Sequence, residues 1–212
     1  MVVVNTAPDT LAAPDPSARL RAALAAGTDP DPALLGTLIG RCAVEPDFYV
    51  RDMLTWALCR LPAETTVPTL IAELGSEIPQ ARSQALHTLS KVGDPQAWPA
   101  VSALLHDPDD EVARSAWRAA VALVPDGGTA ELAADLATAL GRGDHDLQRS
   151  LSRALVALGE VIVPILEQAA AGSDPGRRAH AEATLRLHRD PDSAFTLSVE
   201  AATRVAVTGP DG

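Results

Sequence analysis

The stretch Gly93–Trp117, GDPQAWPAVSALLHDPDDEVARSAW, crowds Asp107, Asp109, Asp110 and Glu111 into five positions. Carboxylates this close can hold a divalent cation or share a proton, so they are the first candidates for chemistry. A calcium loop needs alternating oxygen ligands, a glycine and a closing glutamate over about twelve residues, and Asp-Pro-Asp-Asp-Glu lacks that register. Pro108 instead stops one alanine-rich helical run, and Asp107 and Asp109 precede the next. Aspartates there accept the free backbone N–H groups and match the positive end of the helix dipole. Acids or short polar residues recur at the same point elsewhere, as Glu45 and Asp47, Glu77, Asp144 and Asp146, Ser173 and Asp174. We read them as helix caps, with no metal site and no cofactor.

The histidines give no stronger signal. His87, His106, His145, His180 and His188 are scattered, and no HExxH, CxxC, GxSxG or glycine-rich phosphate loop occurs. His180 and His188 are about two helical turns apart, too far for the i, i+4 pairing of helical metal sites. We expect no catalytic residue and no enzyme.

The elements that would position any site repeat along the chain. A branched or aromatic residue precedes proline at Val67-Pro68, Trp98-Pro99 and Val163-Pro164. Arg51, Arg82 and Arg114 recur 31 and 32 positions apart. Val67, Leu70, Ile71 and Leu74 fall on one helical stripe, as do Val50, Leu54, Ala57, Leu58 and Leu61, and again Leu151, Ala154, Leu155 and Leu158. A helix pair with one such stripe per helix buries it by stacking on its neighbours. The pattern predicts a first helix near 16–26 and pairs at about 31–42/47–60, 66–75/79–92, 95–106/110–123, 129–140/145–158 and 161–171/175–188. A closing helix near 192–206 completes one domain over 15–206, between loose tails at 1–14 and 207–212.

Composition agrees with helices. Of 212 residues 47% are hydrophobic but only 3% aromatic, so the core must be Ala, Leu and Val. No apolar run reaches the ~18–20 residues that cross a bilayer, and the opening Met-Val-Val-Val has no secretory n-region. Cys42 and Cys59 are too few for a disulfide framework. We expect a cytoplasmic protein, bacterial by its arginine- and alanine-rich composition. The formal charge of −11, with Lys91 the only lysine, argues against nucleic acid, which requires a basic stripe.

The Gly93-Asp94-Pro95 turn, Pro99, the Asp107-Pro108-Asp109 turn, Val112 and Arg114 together resemble a HEAT repeat. They are especially similar to the HEAT-like repeat first described in phycobilisome lyases. The resemblance covers about residues 29–188 and departs by an extra alanine between Val112 and Arg114, where Val50 and Arg51 are adjacent. It implies an all-α, right-handed α-α superhelix, a HEAT-like α-solenoid of about five helix pairs with capping helices. Second helices then line a concave face, and an inter-repeat ladder pairs Arg51, Arg82 and Arg114 with turn acids such as Asp47 and Asp109. FYVRDMLTWAL and PQARSQALHTLSKVGDPQAWPA are also similar to modules attached to some bacterial regulators of the MerR class, although no winged helix is present.

The reading that follows is a non-catalytic scaffold or adaptor that binds a protein or peptide partner on its concave face, in a regulatory role. Trp56, His87, Arg118 and Arg153 are the candidate contacts, since Trp and Arg dominate interface energetics. Two alternatives follow from the resemblance alone: a nucleic-acid-binding or DNA-repair protein of the HEAT-like glycosylase kind, and a small-molecule-binding or bilin-lyase-like assistant.

Overall fold

The structure, a computed structural model, describes residues 7–190. The expected closing helix near 192–206 and the tail at 207–212 lie outside the described residues. The chain forms two compact units, one ending at Pro125 and one beginning at Asp126, where the sequence suggests one domain over 15–206.

The first unit is built from α1 (Ala7–Leu11), α2 (Pro16–Thr28), α3 (Leu35–Val44), α4 (Phe48–Leu58), α5 (Ala63–Glu73), α6 (Pro79–Val92), α7 (Trp98–Ser102) and α8 (Asp110–Leu123). The second holds α9 (Thr129–Ala137), α10 (His145–Val156), α11 (Val163–Ala170) and α12 (Pro175–Arg189). The fold class is all-α, and among the described residues α3 to α12 form five helix pairs of the HEAT-like type, preceded by α1 and α2. The expected tail at 1–14 is corrected from Ala7 onward. There α1 packs on α2 and Leu11 is buried, because an apolar side chain next to a helix gains more by burial than by freedom.

Local chemistry sets the helix starts. Asp15, Asp47, Asp109, Asp144 and Asp174 each accept backbone N–H groups as N-caps; Asp109 takes those of Glu111 and Val112 at 3.0 and 3.1 Å. Each such cap contributes about 1 kcal/mol. Gly93 closes α6 in the left-handed conformation, φ 74°, which a side chain would strain. The prolines behave less uniformly than expected. Pro99 and Pro164 open α7 and α11 behind short 3-10 turns, whereas α5 starts at Ala63, earlier than the expected 66, and carries Pro68 inside it. A proline has no N–H to give the preceding turn, and a 3-10 turn is one way of closing that turn.

Packing joins these pieces within each unit. In the first, α2 lies on α4, α4 on α6 and α6 on α8, while α3, α5 and α7 each pack on the helix that follows them. The expected stripes are buried: Val50, Leu54, Ala57 and Leu58 in α4, Val67 and Leu70 in α5, with Ile71 at the margin. Trp117 is wholly buried, and its indole N–H donates to the Leu105 carbonyl at 2.9 Å. In the second unit, α9 packs on α10 and α11, and α12 on α10 and α11. Each fully buried leucine contributes about 2 kcal/mol. No described helix is long and apolar enough to cross a membrane.

Two buried polar residues, Glu45 and His180, are paired across helices. Glu45 is fully buried between two arginines: Arg19 donates through Nε and Nη2 at 2.7 and 2.8 Å, and Arg41 through Nε at 2.8 Å. In the second unit His180 accepts the Gly141 N–H on Nδ1 at 3.0 Å, so its Nε2–H is left to face the Gln148 carbonyl at 2.9 Å and Ser152 Oγ at 3.1 Å.

Burial alone would raise the Glu45 carboxyl, but bonds from Arg19, the Asp47 N–H and Arg41 outweigh it and hold the group at about 2 against an ordinary 4.5. The unfolded chain therefore takes up the proton first. Stability present above pH 4.5 is lost as the pH falls toward 2, and Glu45→Gln flattens that slope in urea unfolding followed across this range. Glu45→Ala lowers stability at neutral pH by about 3 kcal/mol, because two guanidiniums lose their shared carboxylate. His180 has its pKa pushed below 6.5, by burial first and against the Gln148 bond. Its contribution is complete above pH 6.5 and is lost as the pH falls below that, so the protection factors of amides in α10 and α12 fall in mild acid. His180→Gln removes this fall.

Candidate functional site

The turns of the first unit repeat one device. At three of these turns the residue two positions before the cap accepts the cap N–H: Glu45 from Asp47 at 3.0 Å, Asp107 from Asp109 at 2.9 Å, and Ser76 from Ile78 at 3.3 Å. Four positions after the cap, counted from Asp15, Asp47 and Ile78, stand Arg19, Arg51 and Arg82. Each uses Nη1 on carbonyls of its own turn: Arg19 on Ala13 and Pro14, Arg51 on Glu45 and Pro46, Arg82 on Ser76. Nε and Nη2 then reach the next turn, Arg19 to Glu45 and Arg82 to Asp107 at 3.1 and 3.0 Å.

This corrects the expected ladder. Asp47 and Asp109 cap helices, and the carboxylates that meet arginine are Glu45 and Asp107. Arg19, overlooked in the sequence because its turn departs from the repeat consensus, is a full member. Arg114 is not, since the extra alanine puts Ala113 at the ladder position and turns Arg114 by about 100°. It pairs within its own helix with Glu111 at 3.3 Å, and its Nε is buried without a hydrogen-bond partner. Arg51 has the ladder position but no ladder acid, because Ser76 stands where Glu45 and Asp107 stand.

Arg51 and Arg114 instead line a groove of about 350 Å³ across α4, α6 and α8. Phe48, Arg51 and Asp52 come from α4, Ser83, Gln84 and His87 from α6, and Glu111, Arg114, Ser115 and Arg118 from α8. Of the four candidate contacts, His87 and Arg118 are here. Arg118 donates to Ser115 Oγ at 3.2 Å, and Ser115 shares a 2.9 Å hydrogen bond with Ser83. Burial lowers the His87 pKa, with Arg118 and Lys91 adding to it against Asp52. Burial lowers the Arg118 pKa as well, helped by Arg114 and opposed by Glu111. With His87 neutral, the groove carries three guanidiniums against two carboxylates, in a chain of net charge −11. Phe48 is 65% exposed and meets Tyr49 edge-on at 5.6 Å.

The other two candidates lie elsewhere. Trp56 sits against α2, where a Cβ at Gly27 would overlap its ring. Arg153 is exposed on α10 of the second unit. Of the thiols, Cys42 is buried, and burial pushes it up to about 12, while Cys59 is exposed. A larger groove of about 520 Å³ between α9 and α11 is lined mainly by small residues. Its charged groups are engaged: Arg177 donates to the Ala137 and Thr138 carbonyls, and Asp174 caps α12.

Residues 38–122, which run from α3 to the end of α8, match the family model described as HEAT repeats. This part of the chain is therefore a run of HEAT repeats, as its turns and ladder indicate. No curated protein matches the chain. Among solved structures it is similar to the complex of CpcE and CpcF of phycocyanin lyase from Nostoc sp. PCC7120, at 22% identity, with 89% of this chain and 77% of that chain covered and a TM-score of 0.48. It is also similar to two engineered proteins from the Northeast Structural Genomics Consortium. One is 20% identical, covering 89% and 97% of the two chains, with a TM-score of 0.47. The other is 14% identical, covering 88% and 98%, with a TM-score of 0.46.

Gly27→Ala tests the placement of Trp56. The added methyl must displace the indole, so despite the gain in helix propensity the variant loses about 1 kcal/mol net. Tryptophan emission shifts to the red in a protein that stays helical.

Proposed function

We propose that this protein is a non-catalytic HEAT-repeat scaffold that binds a protein or peptide partner in the α4–α6–α8 groove, in the cytoplasm and in a regulatory role. One observation carries the reading: His87 and Arg118 lie in one groove together with Arg51 and Arg114, a local excess of positive charge on an acidic chain. Three successive second helices present this surface already formed, so little ordering of the host opposes binding. Two hydroxyls, an exposed aromatic ring and several guanidiniums suit a polar main chain and acidic side chains better than an apolar small molecule. Trp56 and Arg153 leave the set of contacts; Arg51 and Arg114 join it.

Affinity capture from an extract of the native cell, followed by mass spectrometry, tests the groove. Wild-type protein and Arg153→Glu retain the same partner, and Arg118→Glu weakens it by about 2 kcal/mol or more. Retention of every partner by Arg118→Glu would remove the groove from consideration.

A further inference from the structure

We infer that the groove takes an acidic peptide segment, and that a carboxylate of this segment seats on Arg51 in the place that Glu45 and Asp107 take on Arg19 and Arg82. The inference rests on the groove reading above and specifies its occupant.

The argument begins with what the ladder does twice and omits once. On Arg19 and Arg82 the Nε–Nη2 edge meets both oxygens of a carboxylate from the next turn, while Nη1 is tied to the arginine's own turn. Arg51 keeps the second half of this arrangement: its Nη1 donates to the Glu45 and Pro46 carbonyls at 2.9 and 2.8 Å. Its Nε–Nη2 edge makes no hydrogen bond or ion pair with any described residue. The guanidinium is thus fixed in place with its bidentate edge unfilled, the form in which arginine recognises carboxylate with most geometric specificity.

The cause is a single position. Ser76 accepts the cap N–H as the acids do, but a hydroxyl brings no negative charge to Arg51. The unfilled edge belongs to a side chain that lines the groove, beside Arg114, whose Nε is also unsatisfied, and Arg118. A chain of net charge −11 has acids to spare, yet only Asp52 and Glu111 face this groove. Charge complementarity therefore selects an anionic occupant. Phe48 at the α4 end and the paired Ser83 and Ser115 at the centre suit a peptide, with apolar and hydrogen-bonding contacts beside its acid.

The test is to fill the slot from within. A fluorescein-labelled hexaglutamate peptide is titrated into the full chain by fluorescence anisotropy, beside a hexaglutamine peptide and a single-stranded oligonucleotide. Hexaglutamate binds with an affinity that falls as salt rises, and hexaglutamine does not bind. Ser76→Asp supplies the ladder acid in cis, so it raises the melting temperature and weakens hexaglutamate binding about tenfold, as for loss of one charge-assisted hydrogen-bonded contact. Arg51→Gln weakens it similarly and serves as the deciding variant if circular dichroism shows that Ser76→Asp does not fold. Unchanged affinity in a folded Ser76→Asp protein overturns the proposal, as does binding of the oligonucleotide in preference to hexaglutamate. If hexaglutamate does not bind while a cellular partner is still lost on Arg118→Glu, the acidic occupant is wrong and the groove reading stands.

Discussion

A guanidinium held between two turns sets how one hairpin of the first unit meets the next. Arg19 and Arg82 each grip their own turn through carbonyls and the following turn through a carboxylate. Isolated surface pairs contribute little, because solvent screens them and the side chains lose entropy. Here the carboxylate is buried and each of its oxygens is occupied, so a change in the spacing between hairpins would leave charge unpaired in a low-dielectric site. The apolar stripes hold the hairpins together; the ladder makes one register better than its neighbours.

A register fixed in this way also explains the groove. Where the ladder is complete, the arginine is consumed by structure. At Arg51, where Ser76 replaces the acid, the same fixed guanidinium is left on the surface shared by α4, α6 and α8. At Arg114 a one-residue insertion has a related effect, taking the arginine out of the ladder and onto the groove. Two of the three guanidiniums on this face thus come from defects in a structural repeat, and both defects lie in the segment matched as HEAT repeats.

The second unit solves its buried-polar problem differently. Its α10–α12 contact is held by His180, Ser152 and Thr184, a neutral hydrogen-bonded set, and Gln148 stands at the ladder position, donating to the Gly141 and Gly143 carbonyls. Glutamine reproduces the grip on its own turn but carries no charge to offer the next one. Among the described residues the arginine device is thus found in the first unit, and with it the candidate site.

Much of the fold was legible in the sequence because it follows from contacts within four residues. Caps at Asp47, Asp109, Asp144 and Asp174, the left-handed Gly93, and apolar stripes at helical spacing are local rules, and the helix pairs fall within a few residues of their expected places. Side-chain partners across helices follow no such rule. The sequence placed arginines at a repeating interval, but whether each meets Glu45, Asp107, its own turn or nothing depends on where the next hairpin puts its turn. Trp56 is 37% exposed, as helical spacing suggests, but that spacing does not show that its ring also lies against Gly27 of α2. His87 and Arg118 could be assigned to one face from periodicity, whereas the addition of Arg51 and Arg114 required the packing of three helices. Local pattern determined the hairpins; the distances between them, set by packing, decided which charges are satisfied and which are left to bind.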